Sequence, residues 1–444
     1  MNKKQNKSQA SRFINNTGWM MGQQIYSMLL SLVVSSLSAR YLGPSNYGLL
    51  NYGSTLISFF TIVSALGYTN VIINEMVKSP KKTGSYLGSA LVSRLVASVL
   101  SVAAVCLVIY ILEPDNQLLQ FITFLQAISI IFQSYEVFTY YFQMKLQMKV
   151  VSIATMIALT ATAIWRIGLL ANGASVQYFA LTNSIRYLVA GAVVIAIFFK
   201  ASNVKLSFSM TDTKFLLGKS YHLIISGIAS TVCVQIDKIM VGKMLGETKL
   251  GYYAAAVTIA ELWEFVPNAL VNSARPLILA KREDNYQEYE KRFQLLSLGI
   301  TILGLTVAIL FMFLGGLAIR ILYGTAYMEA KAPLYILVWG IMVSSIGYAR
   351  NVWLVAEDCQ SYVKYFTIAG AVFDILANLW FIPTFGIAGA AMTSCASYVI
   401  VGFIGPLFVK KTRRFIKLYF ESFKYLPELV QLVKGTISSK LFYK

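Results

Sequence analysis

The stretch Arg40-Tyr41-Leu42-Gly43-Pro44-Ser45-Asn46-Tyr47-Gly48 has a second copy in Lys243-Met244-Leu245-Gly246-Glu247-Thr248-Lys249-Leu250-Gly251. The copies lie 203 residues apart, and the same offset brings Arg40 onto Lys243, Thr55 onto Thr258 and Lys78 onto Lys281. Each copy separates two long apolar segments. Two similar apolar halves are a common plan for a membrane transporter in which one half moves against the other. The alternative is chance similarity in a Gly-rich hydrophobic chain.

Composition favours the membrane. Apolar residues make up 57% of the 444 residues and charged residues 13%, about half the charged share of a soluble protein. Mean hydropathy is +0.64. Twelve segments are long enough to cross a bilayer as helices, at about 20 residues each. They run over 14–39, 46–70, 86–112, 118–142, 149–171 and 176–199, then 219–242, 251–279, 293–319, 332–356, 362–382 and 387–409. Barrel strands would instead alternate over about ten residues. The expected fold is an all-α polytopic membrane protein of twelve transmembrane helices. An N-terminal lobe covers 1–218, a C-terminal lobe 219–409, and residues 410–444 form a basic tail.

The net charge is +19. In a soluble protein that would suggest nucleic acid. Here 27 of the 38 Lys and Arg residues fall in the two tails and the even-numbered loops, and five in the odd loops: Arg40, Lys243, Lys249, Arg320 and Lys331. The positive-inside rule explains that bias and puts both termini in the cytoplasm, so no nucleic-acid partner is expected. The N-terminus has the charge of a signal peptide but is too polar after it for an apolar core, so the first span is expected to stay uncleaved. In the tail, Ile416, Tyr419, Phe420 and Phe423 share a helical face beside Lys417 and Lys424, which suits a helix on the inner surface drawn to anionic membrane lipids or else a frayed tail. The cysteines, Cys106, Cys233, Cys359 and Cys395, have no CxxC spacing and read as packing residues. No metal or cofactor is expected.

The remaining six basic residues, Arg94, Arg166, Arg186, Lys238, Arg275 and Arg350, fall inside predicted spans. A charge at mid-span costs about 2.5–3.5 kcal/mol on insertion scales, so six point to a polar interior. Arg166, Arg275 and Arg350 lie near span ends and can also snorkel. Arg186 is close to the middle of span six. Substrate-cavity residues are therefore expected among Arg94, Arg186, Lys238, Arg275, Arg350 and Arg40. Of the acidic residues within spans, Glu261 and Glu264 are three apart and share a helical face, where a carboxylate pair can hold one proton. With Asp237 and Asp374 they are the residues expected to take a coupling ion, ion pairing with an arginine being the alternative. Span one carries Gln24, Ser27, Ser31, Ser35 and Ser38 at helical spacing, a stripe that faces either a helix or water. An interior tilted towards positive charge suits an anionic cargo, and arginine replaces the hydration shell of phosphate well.

Four stretches resemble the Wzx-like polysaccharide and O-antigen flippases, the polysaccharide transporter branch of the multidrug/oligosaccharidyl-lipid/polysaccharide exporter superfamily. They are Arg40–Gly48, Gln235-Ile-Asp237-Lys238-Ile-Met-Val-Gly242, Leu322-Tyr323-Gly324-Thr-Ala-Tyr327 and Ile382-Pro383-Thr-Phe-Gly386-Ile-Ala-Gly389-Ala-Ala391. The resemblance covers about 14–409. It implies a MATE-like fold, two pseudo-symmetric six-helix lobes around a central cavity, in a bacterial cytoplasmic (inner) membrane. It implies a lipid-linked oligosaccharide cargo on undecaprenyl diphosphate, an ion gradient as the drive, and a polysaccharide polymerase and chain-length regulator as partners. The motif glycines Gly43, Gly48, Gly246 and Gly251 then serve as turns and hinges. The 203-residue offset makes the halves parallel repeats, with Arg40 and Lys243 a symmetric pair near an outer mouth.

Rival readings are a MATE-type drug or metabolite exporter, which needs carboxylates for organic cations, and a membrane glycosyltransferase. The latter needs an acidic catalytic cluster in an exposed loop. The chain has no DxD motif, and Glu357-Asp358 is the nearest substitute, so no enzyme is expected.

Overall fold

The computed structural model describes the backbone over 3–428 and side chains over 16–428. The outer parts of the tails, including Lys434, Lys440 and Lys444, lie outside the described residues, as do the side chains of Lys3, Lys4, Lys7 and Arg12.

The described chain is all-helical. Its α-helices are α1 (Lys3–Ser64), α2 (Tyr68–Lys78), α3 (Thr83–Leu112), α4 (Gln117–Phe132), α5 (Glu136–Met144), α6 (Met148–Ala171), α7 (Val176–Ala180) and α8 (Thr182–Ala201), then α9 (Met210–Leu245), α10 (Glu247–Glu261), α11 (Phe265–Leu279), α12 (Tyr286–Leu322), α13 (Lys331–Ala356), α14 (Val363–Val399), α15 (Gly405–Phe408) and α16 (Arg413–Glu421). Starts are capped where the sequence supplies an acceptor. The Asn116 side chain accepts from Leu119 N at 3.0 Å, and Asn285 from Glu288 N at 3.0 Å, each satisfying an otherwise orphaned N–H.

Among the described residues, ten helical segments are long and apolar enough to cross a membrane, so the chain is a multi-pass membrane protein. The twelve expected spans overlap these ten, the first and last overrunning them by one or two residues. Two segments, Asn16–Lys78 with 63 residues and Gln360–Phe408 with 49, each contain two of them. Each is divided by a glycine with non-helical backbone, Gly43 (φ 72, ψ 170) and Gly386 (φ 62, ψ −143).

Gly43 and its repeat mate Gly246 (φ 86, ψ 172) adopt nearly the same conformation. The repeat read from the sequence is thus also a repeat in backbone geometry. A Cβ at either position would meet nothing within 4 Å, so the requirement is conformational: this region is almost closed to other residues and costs about 1–3 kcal/mol. Gly43→Ala and Gly246→Ala are each expected to lower stability by about 1–3 kcal/mol in thermal unfolding of the purified chain. Gly22→Ala is the control, since Gly22 has open space and an ordinary helical φ, and it is expected to be neutral or stabilising. Gly48 and Gly251 are buried inside helices.

The chain forms two compact units, Met1–Thr231 and Val232–Lys444, dividing within α9. The early turns of α9 and the extended segment before it are tied to the first unit. Ser207 N donates to Gly84 O at 3.2 Å, Ser209 N to Ser89 Oγ at 3.0 Å, and Lys219 Nζ pairs with Glu75 at 2.8 Å. The first unit has a core of Tyr68, Ile72, Met76, Leu87, Val137, Phe138, Phe142 and Phe198. In the second, Tyr289, Phe293, Trp353, Leu354, Phe415 and Tyr419 pack together. Of the four tail residues expected on one lipid-facing stripe, Ile416 and Tyr419 are buried in this core, while Phe420 and Phe423 are exposed.

Candidate functional site

In the first unit, α1, α6 and α8 surround a small polar cavity of about 70 Å³, lined among others by Ser31, Thr162, Arg166, Thr182, Asn183 and Arg186. Small residues of α6 make room for it: Thr162 and Ala163 are buried and line it. Arg166 Nε donates to Thr182 Oγ1 at 3.3 Å. The Arg186 guanidinium lies 5.7 Å from the Tyr187 ring centroid. Among the described residues neither arginine has a carboxylate within ion-pair distance, so two cations converge on one polar pocket. Such a pocket attracts an anion, because arginine presents several donors in a fixed plane.

The other expected cavity cations are dispersed. Arg94, only 1% exposed, is enclosed by protein, with Nη2 2.6 Å from Glu136 Oε2 and Nη1 donating to Tyr140 Oη at 2.9 Å. It ties α3 to α5 and opens on no described cavity. Arg350, 4% exposed, is also enclosed. It donates to the Val401 carbonyl within the π-helical turn Ile400–Ile404 and to Asn351 Oδ1 at 3.2 Å. Depth along a span does not separate a cavity residue such as the one expected at Arg94 from one buried against its neighbours, and Arg350, expected near a span end, is enclosed as well. Lys238 is half-buried with Nζ bonded to Gln235 Oε1 at 2.9 Å, while Arg40 and Arg275 are exposed. Arg94→Met is expected to cost about 2 kcal/mol in thermal unfolding, below the 3–5 kcal/mol of a fully buried pair, because the Glu136 side chain is 37% exposed. Export per inserted molecule should be unchanged.

The serine stripe of span one is divided. Ser38 is buried and donates to Val34 O at 2.7 Å, and Ser27 to Gln23 O at 2.7 Å. Ser31 faces the arginine cavity, Ser35 lies 3.5 Å from Tyr47 Oη, and Gln24 is exposed.

In the second unit, α9, α10 and α14 enclose a buried polar cluster. Asp237 accepts from Tyr253 Oη and from Ser394 Oγ at 3.0 Å. Beside Ser394, Thr393 Oγ1 donates to Asn378 Oδ1 at 2.5 Å. One turn before Asn378, Asp374 is fully buried and lies within electrostatic reach of Asp237. By strict hydrogen-bond geometry both Asp374 carboxylate oxygens and Asn378 Nδ2 are unpartnered, although the Thr393 hydroxyl lies near the Asp374 carboxylate. Buried unpartnered oxygens are costly. Asp237 and Asp374 were expected to bind a coupling ion. Tyr253, Asn378, Thr393 and Ser394 were not picked out, although the i, i+4 spacing of Asp374 and Asn378 is a legible signal.

Glu261 and Glu264 were expected on one face of a continuous helix. The structure breaks the helix there: α10 ends at Glu261, and a turn with Glu264 N donating to Glu261 O at 3.1 Å leads into α11. An i+3 turn keeps side chains three apart on one side, so the two carboxylates stay within electrostatic reach, with Glu261 exposed and Glu264 half-buried.

No curated protein matches the sequence. Solved structures similar to the chain are a lipid II flippase, MurJ, in an inward closed conformation (16% identity, TM-score 0.67, covering 95% of this chain and 98% of that one) and an inward-facing multidrug resistance MATE family transporter of the MOP superfamily (13%, TM-score 0.69, 88% and 95%). A third is a MOP superfamily transporter from Pyrococcus furiosus, described as having a binding pocket of reverse polarity (12%, TM-score 0.54, 92% and 94%). At these identities the likeness establishes the fold. Residues 13–278 match the family described as polysaccharide biosynthesis protein. With more than half of its length matched, the chain belongs to the family described as polysaccharide biosynthesis protein, and it carries a MurJ- and MATE-like fold.

Proposed function

We propose that the protein is a flippase that moves undecaprenyl-diphosphate-linked oligosaccharide units from the cytoplasmic to the outer leaflet of a bacterial cytoplasmic membrane, for surface polysaccharide assembly. The observation that carries this reading is the pocket shared by Arg166 and Arg186, two arginines without a carboxylate partner among the described residues. It is too small for an oligosaccharide and suits one phosphate group, so it receives the diphosphate end of the cargo. The Asp237–Asp374 cluster supplies the second requirement, a dry site for a coupling proton or sodium ion. Twelve spans in two lobes, with both termini in the cytoplasm, follow from counting Asn16–Lys78 and Gln360–Phe408 as two spans each and from the positive-inside rule. Rocking of the lobes exposes the cargo site to each side in turn, while the polyprenyl tail stays in lipid. A polymerase on the outer side then consumes the product.

Deleting the gene from its host tests this directly. Surface polysaccharide is expected to disappear while lipid-linked oligosaccharide accumulates inside, and the intact chain restores export. Unchanged polysaccharide together with altered drug sensitivity would replace this reading with that of a drug exporter.

A further inference from the structure

The last membrane segment ends at Leu407 and Phe408, which are 45% and 80% exposed, and α16 begins five residues later. This helix has two unlike faces. Phe415, Ile416, Leu418 and Tyr419 are buried against the second unit, where the Phe415 ring lies 6.1 Å from Phe293 and 6.3 Å from Trp353. Polar bonds fix the same side: Gln294 Nε2 donates to Leu418 O at 3.2 Å, Tyr419 Oη and Thr301 Oγ1 are 3.2 Å apart, and Arg414 Nη2 is 2.5 Å from Glu290. The Glu290 carboxylate also holds the Arg414 guanidinium above its ordinary pKa.

At 100° per residue, Arg413, Lys417, Phe420 and Lys424 fall on the opposite face. All four are exposed, Phe420 by 61%, and exposed Lys410 and Lys411 precede them. The two acidic residues nearby offset only one of these cations, Lys417. Glu421 is half-buried and accepts from Gln294 at 3.5 Å, with Lys417 3.7 Å away, and Glu428 pairs with Lys291 at 2.8 Å.

We propose that this face of α16 is a docking surface for anionic phospholipid headgroups of the surrounding bilayer. Three observations select lipid as the occupant. The helix starts within five residues of an exposed apolar span end, so chain continuity places it at the membrane surface. Its outer face sets one aromatic ring among cations, a ring for the acyl boundary and charges for the headgroups. The cations have stems long enough to lie along the interface while their heads stay hydrated. Because the inner face is packed on α12 and α13, the bound lipid grips the second unit through a rigid foot and sets its height in the bilayer. This goes beyond the flippase reading and does not depend on it.

The test uses the full-length chain carrying Phe420→Trp, in nanodiscs of mixed phosphatidylcholine and phosphatidylglycerol with bromine quenchers on the acyl chains of one lipid at a time. Subtracting the emission of the chain without the substitution isolates the new tryptophan. Brominated phosphatidylglycerol is expected to quench it at least about fivefold more effectively than brominated phosphatidylcholine. Adding Arg413→Glu, Lys417→Glu and Lys424→Glu should abolish that preference without changing the elution of the folded protein. Water-like emission that neither lipid quenches would overturn the proposal, as would equal quenching by both lipids.

Discussion

Asp374→Asn is expected to make the folded protein more stable and to abolish transport. Asp374 is fully buried with neither carboxylate oxygen hydrogen-bonded, and Asn378 Nδ2, one turn further on, is also without a partner. An amide at position 374 carries no charge to desolvate. Relief of a buried unsatisfied group is worth about 1–3 kcal/mol, which should raise the unfolding temperature. Retention of so unfavourable a group points to function, since cation or proton uptake needs a carboxylate whose oxygens are not already committed. Added sodium, or a lower pH if the ion is a proton, should stabilise the natural chain and leave Asp374→Asn unaffected. Thermal unfolding across sodium concentrations and pH, beside an export measurement, separates the outcomes. A destabilised variant that still exports would remove Asp374 from the coupling role.

Arg186→Ala is expected to reduce surface polysaccharide at least about a hundredfold while the amount of inserted protein holds or rises. Two charge-assisted hydrogen bonds to a phosphate contribute about 1.5–3 kcal/mol each, which sets the scale of the export loss. Insertion moves the other way, because removing an unpaired arginine from mid-span relieves about 2.5–3.5 kcal/mol. A merely structural arginine would lower the protein level and export together. Arg186→Lys should restore part of the activity, since lysine supplies the charge without the planar donor fork. Arg166→Ala should act in the same direction, and the double variant should cost less than the sum of the singles because both arginines serve one pocket. Normal export by Arg186→Ala would show that the pocket does not hold the cargo.

The helical architecture was legible because span length and continuous apolarity are one-dimensional properties. The repeat was legible for a related reason: Gly43 and Gly246 are required by local backbone geometry, which leaves a mark at a single position. The internal breaks were hidden. The turns at Ala65–Gly67, Gln133–Tyr135 and Leu262–Glu264 interrupt spans without a proline, and Leu66 even takes a positive φ of 55°. Tertiary packing overrides helix propensity at such places. The functional chemistry was half legible. Arg186, Asp237 and Asp374 were marked by charge at membrane depth, but Arg166 beside Arg186, and Tyr253 and Ser394 on Asp237, come from other helices. Arg166 read equally well as a snorkelling residue, and only the meeting of α6 with α8 places it beside Arg186. Arg94 shows the converse, since its depth suggested a cavity and Glu136 of another helix neutralises it.

The most direct measurement reconstitutes the purified protein in vesicles containing an undecaprenyl-diphosphate-linked oligosaccharide, with a membrane-impermeant glycosidase outside. In the presence of a sodium or proton gradient, the glycosidase is expected to cleave the cargo of both leaflets when the natural chain is present. It should cleave the outer-leaflet share alone in protein-free vesicles and with Arg186→Ala or Asp374→Asn. Cleavage confined to the outer leaflet with the natural chain, or complete cleavage with both variants, would contradict a flippase that binds the diphosphate through arginine and is driven by an ion at Asp374.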